Sequence, residues 1–148
     1  PKDLPLITHA LNLKSDQVIF DLGAGTGTVI FAAAHEAYLK KLDTKFIAVE
    51  INFVLNIIMY IRKLLHKNGK NIEILAADLF TYDYRKKIPD GTQVTYYMYV
   101  SPWYTNPIAE SIIALKTPST IVSYYYPVKM LRAHSRVKGE HEVFTYKV

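Results

Sequence analysis

Val18-Ile-Phe-Asp-Leu-Gly-Ala-Gly-Thr-Gly-Thr-Val-Ile-Phe31 is the stretch on which the reading of this chain turns. It begins as an apolar, β-branched run, carries Asp21, places glycines at 23, 25 and 27, and leads into the alanine-rich segment after Phe31. A short apolar run bounded by glycine reads as a buried strand, and the alanines read as a helix, so the glycines mark a strand-to-helix turn. Glycine there lets the backbone adopt positive φ and lets a ligand approach without meeting a Cβ. In doubly wound α/β folds ligands bind at this edge, outside the carboxyl ends of the strands.

Outward from this turn, hydrophobic periodicity alternates between strand and helix. Leu4–Leu11 reads as a short helix, Gln17–Leu22 as a buried strand, and Thr26 to about Leu42 as a helix. Lys45–Glu50 is a second strand. Asn52–His66 spaces Leu55, Ile58, Met59, Arg62 and Leu65 as an amphipathic helix does, with Asn68-Gly69 as its stop. Asn71–Ala76 is a third strand, followed by a loop through Pro89-Asp90-Gly91. Val94–Val100 is a fourth strand, Ile108–Leu115 a helix and Thr120–Tyr126 a fifth strand. A hairpin of Met130–Val137 against Glu142–Val148, turning at Lys138-Gly139, completes the pattern. The expectation is an α/β fold: a doubly wound, mostly parallel sheet with a C-terminal antiparallel hairpin, forming one domain over residues 1–148.

Composition narrows the function classes. The chain has 148 residues, half of them hydrophobic and 21% charged, which is a globular composition. No apolar run approaches the 18 or so residues of a membrane span. No basic-then-apolar leader is visible, and the start at Pro1 suggests a trimmed terminus. The absence of cysteine removes disulfides, thiolate metal sites and cysteine nucleophiles, and is compatible with a cytoplasmic location. The five histidines show no metal-ligand spacing, so no metal is expected. A net charge of +5 favours acidic partners, nucleic acid among them, although no lysine run reaches the five or six like charges of a dedicated patch.

The spacing discriminates between nucleotide-like ligands. A dinucleotide loop needs a third glycine where this chain has Thr28. A carboxylate at Asp21 would repel a pyrophosphate but attract an ammonium. S-adenosylmethionine carries an α-amino group and a sulfonium and has no phosphate, so it is the expected cofactor. Gly23, Ala24, Gly25 and Gly27 would form its loop. Glu50, at the end of the second strand, can accept from both hydroxyls of a ribose. Asp78, after the third strand, is placed to accept from an adenine amine, with Leu79, Phe80 and Ile51 around the ring, and Asn52 completes the expected cofactor-binding set.

On these residues the chain resembles the class I, seven-stranded S-adenosylmethionine-dependent methyltransferases, over essentially its whole length. Within them it is similar to the small protein-lysine methyltransferases of archaeal and mitochondrial type. The features are the amphipathic Leu4–Leu11, Asp21-Leu-Gly-Ala-Gly25, Val49-Glu-Ile-Asn52 and the last strand His141–Val148. It departs from that group at Thr26-Gly27-Thr28, where an acidic residue followed by Gly-Arg is the rule. The resemblance implies a protein substrate with an accessible lysine.

Val100-Ser101-Pro102-Trp103-Tyr104 follows the fourth strand and resembles the (Asn/Asp/Ser)-Pro-Pro-aromatic motif of methyltransferases acting on amino nitrogens, with Trp103 in place of the second proline. In that motif the first side chain and the proline carbonyl orient the acceptor nitrogen and the aromatic packs on it. Ser101, Pro102, Trp103 and Tyr104 are therefore the expected catalytic set, with Tyr125 as a further channel residue. The alternative acceptor is the amino group of an RNA or DNA base, which the motif and the positive charge both allow.

Overall fold

The computed structural model describes residues 2–148; Pro1 lies outside the described residues. One seven-stranded sheet runs through the molecule in the order β3-β2-β1-β4-β5-β7-β6. Its strands are β1 (Gln17–Leu22), β2 (Lys45–Glu50), β3 (Ile72–Ala76), β4 (Gln93–Met98), β5 (Ser119–Tyr124), β6 (Ser135–Lys138) and β7 (Glu142–Lys147). β1 to β5 pair in parallel, and β7 enters antiparallel between β5 and β6. This is the doubly wound sheet with an antiparallel C-terminal hairpin that the sequence pattern predicts.

The central strands β1 and β2 are apolar at most positions because both faces of the sheet are covered there. Successive side chains alternate sides, so Ile19, Phe46 and Ala48 join one core with the helices α1 (Leu4–Leu11) and α2 (Thr28–Leu39) and with Met59 of α3 (Phe53–Leu65). Val18, Phe20, Ile47 and Val49 join the opposite core, closed by α4 (Thr105–Ala114) and by Tyr84.

Several boundaries differ from expectation. α2 begins at Thr28 rather than Thr26, because Gly27 sits at φ +76 and cannot belong to the helix. It ends at Leu39, where Lys41 takes a left-handed φ of 56 and the Leu42 amide bonds back to the Ala37 carbonyl. α4 starts three residues before Ile108, since Pro107 is tolerated in a first turn. Of the expected Met130–Val137 strand only Ser135–Val137 pairs in the sheet, joined by Lys138 from the expected turn, and this strand forms the exposed edge. α3 also departs from expectation in its orientation. Its buried residues are Asn56 and Met59, whereas Ile58 and Leu65 face outward.

The N-terminal segment is fastened to the far end of the sheet. Asp3 accepts from the backbone N–H groups of Glu140 and His141, each at 2.8 Å, and from the Tyr124 hydroxyl at 3.0 Å. These donors hold its carboxyl below the usual carboxylate range. The contact lays α1 across the β6–β7 turn and fixes where His141 and Tyr124 stand.

Candidate functional site

The carboxyl ends of β1, β2 and β4 converge with the loop after β3. Between β1 and α2 the three glycines all take positive φ, at +73, +59 and +76. The Gly23 and Ala24 amides both donate to the Val49 carbonyl of β2, at 2.9 and 3.0 Å. A Cβ at Gly25 would meet nothing within 4 Å, whereas one at Gly27 would stand 2.8 Å from the Phe31 ring. Gly27 is therefore required for packing, while Gly25 faces open space in the cleft.

Glu50 ties this loop to the next. One carboxylate oxygen accepts the Gly25 amide at 2.9 Å and the other accepts the Asn52 amide at 2.9 Å. Its backbone carbonyl accepts from the buried Asn56 side chain at 2.9 Å. Asn52 in turn caps α3, accepting from Val54 and Leu55. A carboxylate has about four lone-pair positions, so Glu50 retains acceptor capacity on both oxygens.

Asp21 does not stand at the mouth of the loop. It is only 3% exposed, lying under the glycines with the Ile30 amide of α2's first turn beside it. Burial pushes its carboxyl up to about 7, the Ile30 amide opposes this, and the nearby Glu50 charge adds to the rise. The hydroxyl of Tyr97, pushed up by burial and by the Asp21 charge, has no hydrogen-bond partner among the described residues.

Asp78 lies two residues beyond the end of β3 and turns its loop, accepting the Phe80 amide at 2.9 Å. Leu79 reaches the floor of the cleft, with its side chain and that of Val100 at the Gly23 position. Ile51 is 70% exposed beside Glu50, and Phe80 is half-exposed.

The Ser101–Tyr104 turn closes through the Tyr104 amide on the Ser101 carbonyl at 2.9 Å. Thr105 lies within hydrogen-bond reach of the Pro102 carbonyl at 3.1 Å, and of the Pro127 carbonyl at 3.2 Å. Tyr104 meets Phe80 edge to face at 5.2 Å, so the expected acceptor turn touches the expected adenine loop. Trp103 is 80% exposed and packs in neither core.

At the end of β5 is an aromatic group only partly foreseen from the sequence. Tyr125, at a left-handed φ of 72, stacks edge-on to His141 at 4.3 Å and to Tyr126 at 4.4 Å. Tyr124 bridges His141 and Tyr99. A non-glycine aromatic at positive φ is uncommon and marks a place worth inspecting for function. Tyrosine-rich strands hid this group, because no sequence spacing links Tyr99, Tyr125 and His141. At the Thr26-Gly27-Thr28 departure, Arg62 of α3 reaches in, donating to the Thr26 carbonyl at 2.5 Å and lying over the Phe31 ring.

Among the described residues no group of three or more His, Asp or Glu converges as a metal set would, and no helix is long and apolar enough to cross a membrane.

No protein-family model and no curated protein matches the chain. Solved structures do resemble it. An RNA methyltransferase from Salinibacter ruber, in complex with S-adenosyl-L-homocysteine, matches 100% of this chain and 92% of its own with a TM-score of 0.82 at 19% identity. A precorrin-6y C5,15-methyltransferase from Geobacter metallireducens matches 99% of this chain and 86% of its own, with a TM-score of 0.65 at 17% identity. A SAM-dependent methyltransferase from Geobacter sulfurreducens, also with S-adenosyl-L-homocysteine, matches 84% of this chain and 49% of its own, with a TM-score of 0.57 at 16% identity. The chain has the α/β Rossmann-like fold of the class I methyltransferases.

Proposed function

We propose that the chain is an S-adenosylmethionine-dependent N-methyltransferase acting on lysine side chains of proteins. The observation that carries the cofactor is the Gly25–Glu50–Asn52 linkage: an open glycine cradle beside a carboxylate whose two oxygens are pre-aimed by backbone amides and keep lone pairs free. The donor set fits the cofactor's chemistry. Glu50 takes the ribose hydroxyls, and Gly23, Ala24, Gly25 and Gly27 leave room for the methionine part. Asp21, in its ionised form, contributes negative field from beneath the loop, and Asp78, with Ile51, Leu79 and Phe80, receives the adenine, Asn52 holding the loop beside Glu50. Bound there, S-adenosylmethionine supplies an electrophilic methyl group.

The chain's own residues supply proximity and orientation. Ser101 and the Pro102 carbonyl hold the amino group, and Trp103 and Tyr104 flank it. A lysine ordinarily titrates near 10.4 and must arrive neutral to react. An aromatic channel from Trp103 and Tyr104 toward Tyr125 favours the neutral amine by excluding water.

The second reading, a nucleic-acid amino group as acceptor, is supported by the Salinibacter protein's description as an RNA methyltransferase and by the net charge of +5. Incubation with labelled cofactor and either mixed protein or RNA distinguishes the two. Label in protein, stable as methyl-lysine after hydrolysis, is expected; label in RNA alone would refute the lysine assignment. Calorimetry with S-adenosylhomocysteine tests the cofactor independently, and no binding would sink both readings.

A further inference from the structure

Helix α3 presents its apolar side to solvent. Phe53, Val54, Ile57, Ile61, Leu64 and Leu65 fall within one arc of about 120° at 100° per residue, and no charged side chain of the helix shares that arc. Leu64 and Leu65 are each 84% exposed and Phe53 is 74% exposed. The side against the sheet carries Asn56 and Met59 instead. Asn52 caps its first turn, accepting from Val54 and Leu55.

The surrounding charge is one-sided. Between Glu50 and Glu73 the sequence has no Asp or Glu but has Arg62, Lys63, Lys67 and Lys70. Arg62 is engaged with Thr26 and Phe31. Lys63, Lys67 and Lys70 form no ion pair among the described residues. Lys63 lies on the side of the helix that carries Asn56 and Met59, whereas Lys67 and Lys70 follow the helix end and are exposed, where long stems can lie along apolar surface with their ammonium groups in water.

We propose that α3 is a membrane-surface helix that lays this arc into the headgroup–acyl boundary of an anionic bilayer. Thirteen residues make a ridge about 20 Å long and 10 Å wide. Such a convex ridge falls well short of the roughly 800 Å² per partner of a stable protein interface. Insertion into a fluid boundary needs only the ridge, and the unpaired lysines supply attraction to anionic lipid. The proposal concerns docking on a surface and is independent of the methyl acceptor.

Co-sedimentation of the full chain tests it, using vesicles of phosphatidylcholine alone and vesicles mixed with phosphatidylglycerol. Binding to the mixed vesicles is expected, weakening as salt rises, with little binding to the neutral ones. The pair Ile61→Asp and Leu64→Asp should lower partition at least about tenfold. Circular dichroism and S-adenosylhomocysteine binding should stay unchanged, because both side chains face solvent. Lys67→Glu with Lys70→Glu, which leaves the apolar arc intact, should remove the preference for anionic lipid. No recovery with either vesicle, or recovery unaffected by the aspartates, would overturn the proposal. So would a concentration-dependent dimer, or binding to an acidic protein, that the aspartates abolish while vesicles show nothing.

Discussion

Glu50 accepts the Gly25 amide at 2.9 Å, so the residue that closes β2 is bonded to the middle of the loop that follows β1. Because its other oxygen holds Asn52, a single carboxylate sets the relative positions of the glycine loop and the start of α3. Both bonds are charge-assisted and therefore stronger than neutral ones.

Replacing Glu50 should accordingly affect ligand binding before it affects the fold. Glu50→Gln keeps the shape but turns one acceptor into a donor facing a backbone N–H. We expect S-adenosylhomocysteine affinity to fall about 10- to 100-fold by calorimetry, with far-ultraviolet circular dichroism unchanged.

Gly25 and Gly27 should separate binding from stability. Gly27→Ala brings a Cβ to 2.8 Å from the Phe31 ring at φ +76, so a stability loss of about 2 kcal/mol or more is expected in urea melts. Gly25→Ala meets no neighbour at φ +59 and should cost only about 1 kcal/mol. Its methyl group occupies the open cradle, however, so cofactor affinity should drop more than stability. Equal behaviour of the two variants would contradict this division.

The buried Asp21 predicts a pH dependence with a definite sign. Its carboxyl rises from an ordinary 3.8 to about 7 in the folded chain, so the folded state binds the extra proton. Stability from this group is full below about pH 4, declines as pH rises to about 7, and is flat above that. The decline is on the order of 4 kcal/mol. Asp21→Asn should flatten the urea midpoint across that window. Asp3 acts with opposite sign and at lower pH, since its lowered carboxyl supplies stability that is lost as pH falls below the ordinary carboxylate range.

Trp103 gives the test of the acceptor turn. It is 80% exposed and outside both cores, so Trp103→Ala should change stability by less than about 0.5 kcal/mol. Methyl transfer should fall by tenfold or more while S-adenosylhomocysteine affinity stays within about twofold. A loss of cofactor affinity instead would place the indole at the adenine rather than at the acceptor.

Much of the framework was legible from residue order alone. β1, β2, α1 and the glycine turn follow from short-range rules: apolar runs, a β-branched strand, and glycine where φ must be positive. Glu50 was legible because a strand end fixes its place. The role of its two oxygens was not, since both bond to backbone amides in separate loops. Asp21 shows the same limit. Its position in the motif was plain, but its depth beneath the loop depends on α2 folding back over β1.

The sequence by itself determined which segments are strands and helices, where the chain must bend, and that α3 has an apolar side. Only the tertiary structure decided that Phe53, Val54, Ile57, Ile61 and Leu64 face outward while Met59 is buried, that Trp103 leaves the core, and that Tyr125 and His141 meet. Local pattern records whether a surface is apolar. What covers that surface is set by which elements the sheet order brings alongside, and β3 is an edge strand of the sheet.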